Sequence, residues 1–113
     1  MVNSADVWTL TQKSYEMLDD LDVFEYDVLD IADELTSLLL KKQKDYGPKN
    51  ISQSPGGALN GLRVRMHDKI ARINHLIDSG NTPENESLED SYKDLANYSI
   101  IALMVLRGKW PSE

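Results

Sequence analysis

The first 46 residues contain neither glycine nor proline. A stretch of that length without either breaker can run as helix, interrupted only locally. One interruption is expected at Asp19-Asp20-Leu21-Asp22. Asp22 with Glu25 three residues on forms a capping box, and the acids suit the positive end of a helix. A first helix is therefore predicted over about residues 4–18 and a second over about 23–45. Val7-Trp8-Thr9-Leu10-Thr11 could also be extended. In the second helix Phe24, Val28, Ile31, Leu35, Leu38 and Leu39 follow 3–4 spacing, the signature of a core-facing stripe.

Tyr46-Gly47-Pro48 ends that helix, and residues 47–57 read as a loop. A third helix is predicted over 58–77, with Leu59, Leu62, Met66, Ile70, Ile73 and Ile77 inward. Asp78-Ser79-Gly80-Asn81-Thr82-Pro83 breaks it. A fourth runs over 86–106, with Leu88, Tyr92, Leu95, Ser99, Leu103 and Leu106 inward. No segment alternates with period two for long enough to read as a strand. The expectation is an all-α chain, a four-helix bundle forming a single domain over 1–113 with its core at 23–106.

Twelve Lys and Arg against nineteen Asp and Glu give a formal net charge of −7. That balance argues against nucleic acid as partner, which calls for a broad basic face. There is no cysteine, so neither disulfides nor thiolate metal sites can form. The longest apolar run, residues 100–106, is far short of the roughly 20 residues that cross a bilayer. No basic and apolar leader is visible at the N-terminus, so a cytoplasmic protein is expected, without membrane attachment.

The polar residues fall in ordered columns. Glu86, Asp90, Asp94 and Asn97 recur at +4, +4 and +3 on one face of the fourth helix. Like charges one turn apart repel by a few tenths of a kcal/mol, roughly, so the column is mildly costly unless a cation faces it. A solvated acidic face is the plain alternative. Asp27, Asp30 and Glu34 share a face of the second helix, continued by Lys41 and Asp45. Asp30 and Glu34 could give oxygens to one Mg²⁺, whereas Asp45 lies about 16 Å further along the axis. On the third helix Arg65, Asp68 and Arg72, flanked by Lys69, form either a salt-bridge ladder or a clamp for phosphate oxygens. His67 and His75 lack the spacing of a zinc pair. Gly56-Gly57 lacks the Gly-Lys-Ser/Thr ending of a phosphate loop.

Three stretches carry a resemblance: Lys41 to Gly47 (KKQKDYG), Gly61 to Arg72 (GLRVRMHDKIAR) and Glu86 to Tyr98 (ESLEDSYKDLANY). In this order they resemble the nucleotide modification associated domain, a small family common in bacteriophages, over about residues 24–106. A looser likeness is to the all-α nucleoside triphosphate pyrophosphohydrolases of the MazG and dUTPase type. Those bind Mg²⁺ through Glu-x-x-Glu on one helix and Glu-x-x-Asp on a later one. Here Asp stands at 94 and neutral Asn at 97 in the second motif, and Asp30-x-x-x-Glu34 departs from the spacing of the first.

The resemblance implies a MazG-like bundle that handles nucleotides in a host cytosol if phage-encoded. Lys41, Lys44, Asp45, Tyr46, Arg65, Asp68, Lys69, Arg72 and Asn97 would contact substrate. Glu34, Glu86, Asp90 and Asp94 would hold Mg²⁺ or Mn²⁺. Related bundles form their pockets between subunits, so a homo-oligomer, dimer or larger, is expected. Three functions stay open: a Mg²⁺-dependent pyrophosphohydrolase, a non-catalytic protein that sequesters or senses a nucleotide, and a helical interaction module. Tyr46, Trp8 and Trp110 could stack on a base or simply pack.

Overall fold

The computed structural model describes residues 22–112. Among these residues the protein is all-helical: α1 (Val23–Tyr46), α2 (Lys49–Ser52), α3 (Ala58–Ser79) and α4 (Leu88–Leu106). The helix expected at 4–18 lies outside the described residues, as does Trp8. By its contacts the chain divides between Glu34 and Leu35 into two compact units.

In the first unit, Asp22 caps α1, its Oδ1 accepting from the Glu25 N–H at 2.7 Å. Among the described residues the expected inward face stays open there: Phe24, Val28 and Ile31 are 75, 49 and 56% exposed. Periodicity identifies the face of a helix, but covering that face needs a neighbour that periodicity does not supply.

The second unit holds the core. Ile51, Leu62 and Ile101 form its buried cluster, with Leu39, Ala58, Tyr98, Ala102, Val105 and Trp110 packed around it. The predicted loop 47–57 contains α2, and that single turn delivers Ile51 to the core. Its four residues sit between Pro48, which starts the turn, and Ser54, whose Oγ donates to the Asn50 carbonyl at 2.8 Å. The Trp110 indole N–H donates to the Pro48 carbonyl at 3.1 Å, tying the C-terminal segment to α2.

Arg72 of α3 meets Ser87 and Ser91, while Lys69, one turn earlier, meets Asp94, one turn later. The two helices therefore run antiparallel. Gly80 ends α3 in the left-handed conformation (φ 67°), its N–H bonded to the Leu76 carbonyl. Ser87 and Asp90 form a reciprocal capping box that starts α4 at Leu88, two residues later than expected.

The stripes of α3 and α4 need correcting. Leu59, Ile70 and Ile77 are exposed, as are Tyr92, Ser99, Leu103 and Leu106. The face of α4 that is buried carries Ser91, Asn97 and Ile101, displaced by one or two residues from the leucine stripe. Small and polar residues lie inside because Arg72 and the Leu35 carbonyl hold them by hydrogen bonds, and a hydrophobicity pattern cannot register that. No helix among the described residues is long and apolar enough to cross a membrane.

Candidate functional site

The close approach of α3 to the loop before it begins at Gly61. A Cβ there would come within 2.4 Å of the Ser54 Cβ and Oγ and 2.8 Å of an Arg65 nitrogen. Without it, Arg65 donates to the Ser54 hydroxyl (Nη1, 3.2 Å) and to the Asn50 carbonyl (Nη2, 2.9 Å). The arginine is thus fixed beside α2.

One turn further along α3, Lys69 reaches across to α4. Its ammonium donates to both Glu86 oxygens (3.1 and 3.0 Å) and pairs with Asp94 Oδ2 at 2.9 Å. Asp94 takes a second cation through Oδ1, from Lys42 of α1 at 3.0 Å. Arg72 extends the network: Nε lies 3.7 Å from Glu86 Oε2, and the guanidinium donates to the Ser91 hydroxyl at 2.7 Å and to the Ser87 and Glu86 carbonyls. Burial disfavours both members of the Lys69–Asp94 pair as ions, but their mutual bonds win. Lys69 is raised despite desolvation, by its hydrogen bonds to Asp94 and Glu86. Asp94 is lowered despite desolvation, by hydrogen bonds from Lys69 and then Lys42.

Lys42, Arg65, Lys69, Glu86 and Asp94 line one cleft of about 470 Å³. Leu39, Ile51, Tyr98 and Ile101 give it apolar surface, and Gln43, Asn50, Asn97 and Tyr46 add polar edges. Lys42, Arg65 and Lys69 face Glu86 and Asp94, so the cleft carries one excess positive charge in a chain of net charge −7. The volume lies in the range of small-molecule sites, roughly 300–1,000 Å³.

Of the residues singled out from the sequence, Tyr46, Arg65, Lys69, Asn97, Glu86 and Asp94 come together at the cleft. Arg72 stands behind it, holding Glu86 and Ser91. Lys41, Lys44, Asp45 and Asp68 are exposed and do not line it. From its place at the end of α1, Asp45 is expected to cap the Asn50–Ile51 backbone or to pair with a base of α3 such as Arg65; among the described residues it does neither, and Arg65 donates to Asn50 and Ser54. Asp90 is engaged at the start of α4. Its Oδ2 accepts from the Ser87 N–H at 3.2 Å, and hydrogen bonds from the Ser87 side chain and backbone hold its carboxyl below the ordinary range. Glu34 is the last residue of the first unit and is not among the residues that line the cleft.

The acids therefore do not fit a divalent ion. Among the described residues, no group of three or more metal-binding side chains comes together. Glu86 and Asp94, the two carboxylates of the cleft, are already neutralised by three cationic side chains. Sequence reasoning missed Lys42, Gln43 and Asn50. Lys42 had a signal: it opens the Lys-x-x-Asp-Tyr-Gly segment and lies three residues after Leu39, at the border of the covered face.

Fold and site together define a protein that is all-helical over its described residues, with a mixed-charge cleft lined from α1, α2, α3 and α4. Residues 42–106, more than half of the chain, match the family described as nucleotide modification associated domain 1, and the chain belongs to that family. No curated protein and no solved structure matches it.

Proposed function

We propose that the protein binds a nucleotide in this cleft without a resident metal, sequestering or sensing it rather than hydrolysing it. The observation that carries the reading is the cation excess of the cleft, set against a strongly acidic chain and beside an apolar floor. Lys42, Lys69 and Arg65 would face the phosphates, as charge-assisted donors do elsewhere, and Tyr98, Leu39 and Ile101 would face the base. Family membership supports a nucleotide as ligand. The engaged state of Asp94 and Glu86 favours binding over metal-assisted hydrolysis, because a catalytic ion would have to compete with Lys69 and Lys42 at Asp94 and with Lys69 and Arg72 at Glu86.

The test is a thermal-shift and calorimetry panel of nucleoside mono-, di- and triphosphates, with and without Mg²⁺, with pyrophosphate release read in parallel. A true ligand at a hundred times its Kd raises stability by about 2.7 kcal/mol, and here it should do so in the presence of a chelator. Pyrophosphate release that needs Mg²⁺ would replace this reading with the pyrophosphohydrolase one. A panel in which nothing binds would leave the helical interaction module.

A further inference from the structure

One buried group of the cleft takes no part in the ion network. Asn97 is 6% exposed and lines the cleft beside Leu39, Tyr98 and Ile101. Its amide nitrogen donates to the Leu35 carbonyl at 3.1 Å. Its amide oxygen has no hydrogen-bond partner among the described residues. Turning the amide end for end offers no relief, since Oδ1 would then confront the Leu35 carbonyl, acceptor against acceptor. A buried acceptor left without a donor weighs against the folded state by roughly tenfold to a hundredfold. Such a group marks a place where a donor from outside is worth most.

We propose that Asn97 reads the base, its Oδ1 accepting a hydrogen bond from the exocyclic amino group of an adenine- or cytosine-type nucleotide. This rests on the nucleotide reading above and deepens it. The donor is neutral, because a cation arriving there would meet Lys42 and Lys69, which already surround Asp94 one turn away on the same helix. The donor sits on a planar ring, because the cleft surfaces beside Asn97 are apolar and aromatic and suit the faces of a base. An amino group is favoured over a ring N–H, which has a keto oxygen on both sides in uracil and on one side in hypoxanthine. Those oxygens would crowd against Oδ1 and the Leu35 carbonyl, and the amide nitrogen already gives one of its two N–H groups to that carbonyl, whereas an amino group has no oxygen beside it. Oδ1 is covered in the structure, so a base reaches it by pushing aside the side chains above it.

The experiment uses the unmodified protein. AMP is compared with purine riboside 5′-monophosphate, and CMP with 2-pyrimidinone riboside 5′-monophosphate. Each pair shares its phosphate and sugar and differs by the amino group, with no added bulk. The expected result is that at least one amino-bearing member binds about tenfold or more tighter than its partner, and tighter than IMP or UMP. Equal affinities within both pairs, or a preference for IMP or UMP, would overturn the base-reading role and leave the nucleotide reading intact. Absence of binding by every nucleotide would remove both. As a second arm, Asn97→Leu, checked for helicity by circular dichroism, should bind both members of a pair alike. An amino preference that survives in this variant would assign the reading to another residue. If the variant does not fold, the ligand pairs decide alone.

Discussion

Replacing Asp94 with asparagine keeps the shape of the side chain and removes its charge. The carboxylate is 11% exposed and holds two lysines of unequal setting: Lys69 at 2.9 Å, 21% exposed, and Lys42 at 3.0 Å, 49% exposed. The Lys42 contact is half in solvent and contributes at most about 1 kcal/mol, screened by salt. The Lys69 contact is partly buried, and a hydrogen bond to a charged group there contributes roughly 1.5–3 kcal/mol, reduced because Glu86 remains as its second partner. The expected cost of Asp94→Asn is about 2 kcal/mol, and in a domain of this size that lowers Tm by about 10 °C. Thermal melts in chelator, at low and at high salt, measure it, and most of the loss should persist at high salt. A double-mutant cycle with Lys42→Met isolates the exposed arm. If Asp94 were instead a metal ligand held against neighbouring acids, removing its charge would leave the metal-free protein as stable or more so. An Asp94→Asn protein that melts at or above its parent in chelator refutes the ion-pair account.

Gly61→Ala should cost about 1–3 kcal/mol, because the new methyl meets the Ser54 side chain at 2.4 Å, and Ser54 is buried and bonded to Asn50 and Arg65; urea denaturation reads this as a lower midpoint at unchanged slope. Ser87→Ala should cost about 1 kcal/mol by removing the cap of α4, with early loss of amide protection over its first turn in hydrogen exchange. Asp94 is lowered from 3.8, so its contribution is present above that value and lost as pH falls through the lowered one. Lys69 is raised from 10.5, so its contribution is complete below that value and lost as pH rises through the raised one. Tm should therefore hold level between these limits and fall on both sides, and Asp94→Asn should flatten the acid decline.

How much of this the sequence revealed differs from element to element. The helices were legible because their breakers are strong: Gly47-Pro48 and Gly80 through Pro83 bound α1 and α3 closely. The inward face of α4 was not, since an apolar stripe suggests burial of Tyr92, Leu103 and Leu106, whereas hydrogen bonds from Arg72 and to Leu35 draw Ser91 and Asn97 inside. The columns of bases and acids were visible in the sequence, and the structure sets Lys69 and Arg72 of α3 against Glu86, just before α4, and sets Lys69 against Asp94 within it. What each acid does there did not. Asp90 belongs to the same column as Asp94 yet serves the helix start, a difference set by which backbone groups lie free at residue 87. Lys42, one position from the Lys41 read as continuing the Asp27, Asp30 and Glu34 face, shows how far a rotation of about 100° per residue moves a side chain around a helix.

If the cleft takes the ligand proposed above, the bonds of Arg65 to Asn50 and Ser54, and of Lys69 to Glu86 and Asp94, would bear on the rate and heat of its capture. Free arginine and lysine side chains lose about 0.5–1.5 kcal/mol of rotamer entropy each when a ligand immobilises them. Here that ordering accompanies folding, so the cleft is pre-organised and a ligand meets donors already in place. The compensation is competition, since every oxygen the ligand presents must share or displace a carboxylate or carbonyl oxygen that holds the same donor. Association should accordingly be quick with a small entropic penalty, and affinity limited by modest enthalpy, so that a ligand leaves as readily as it arrives.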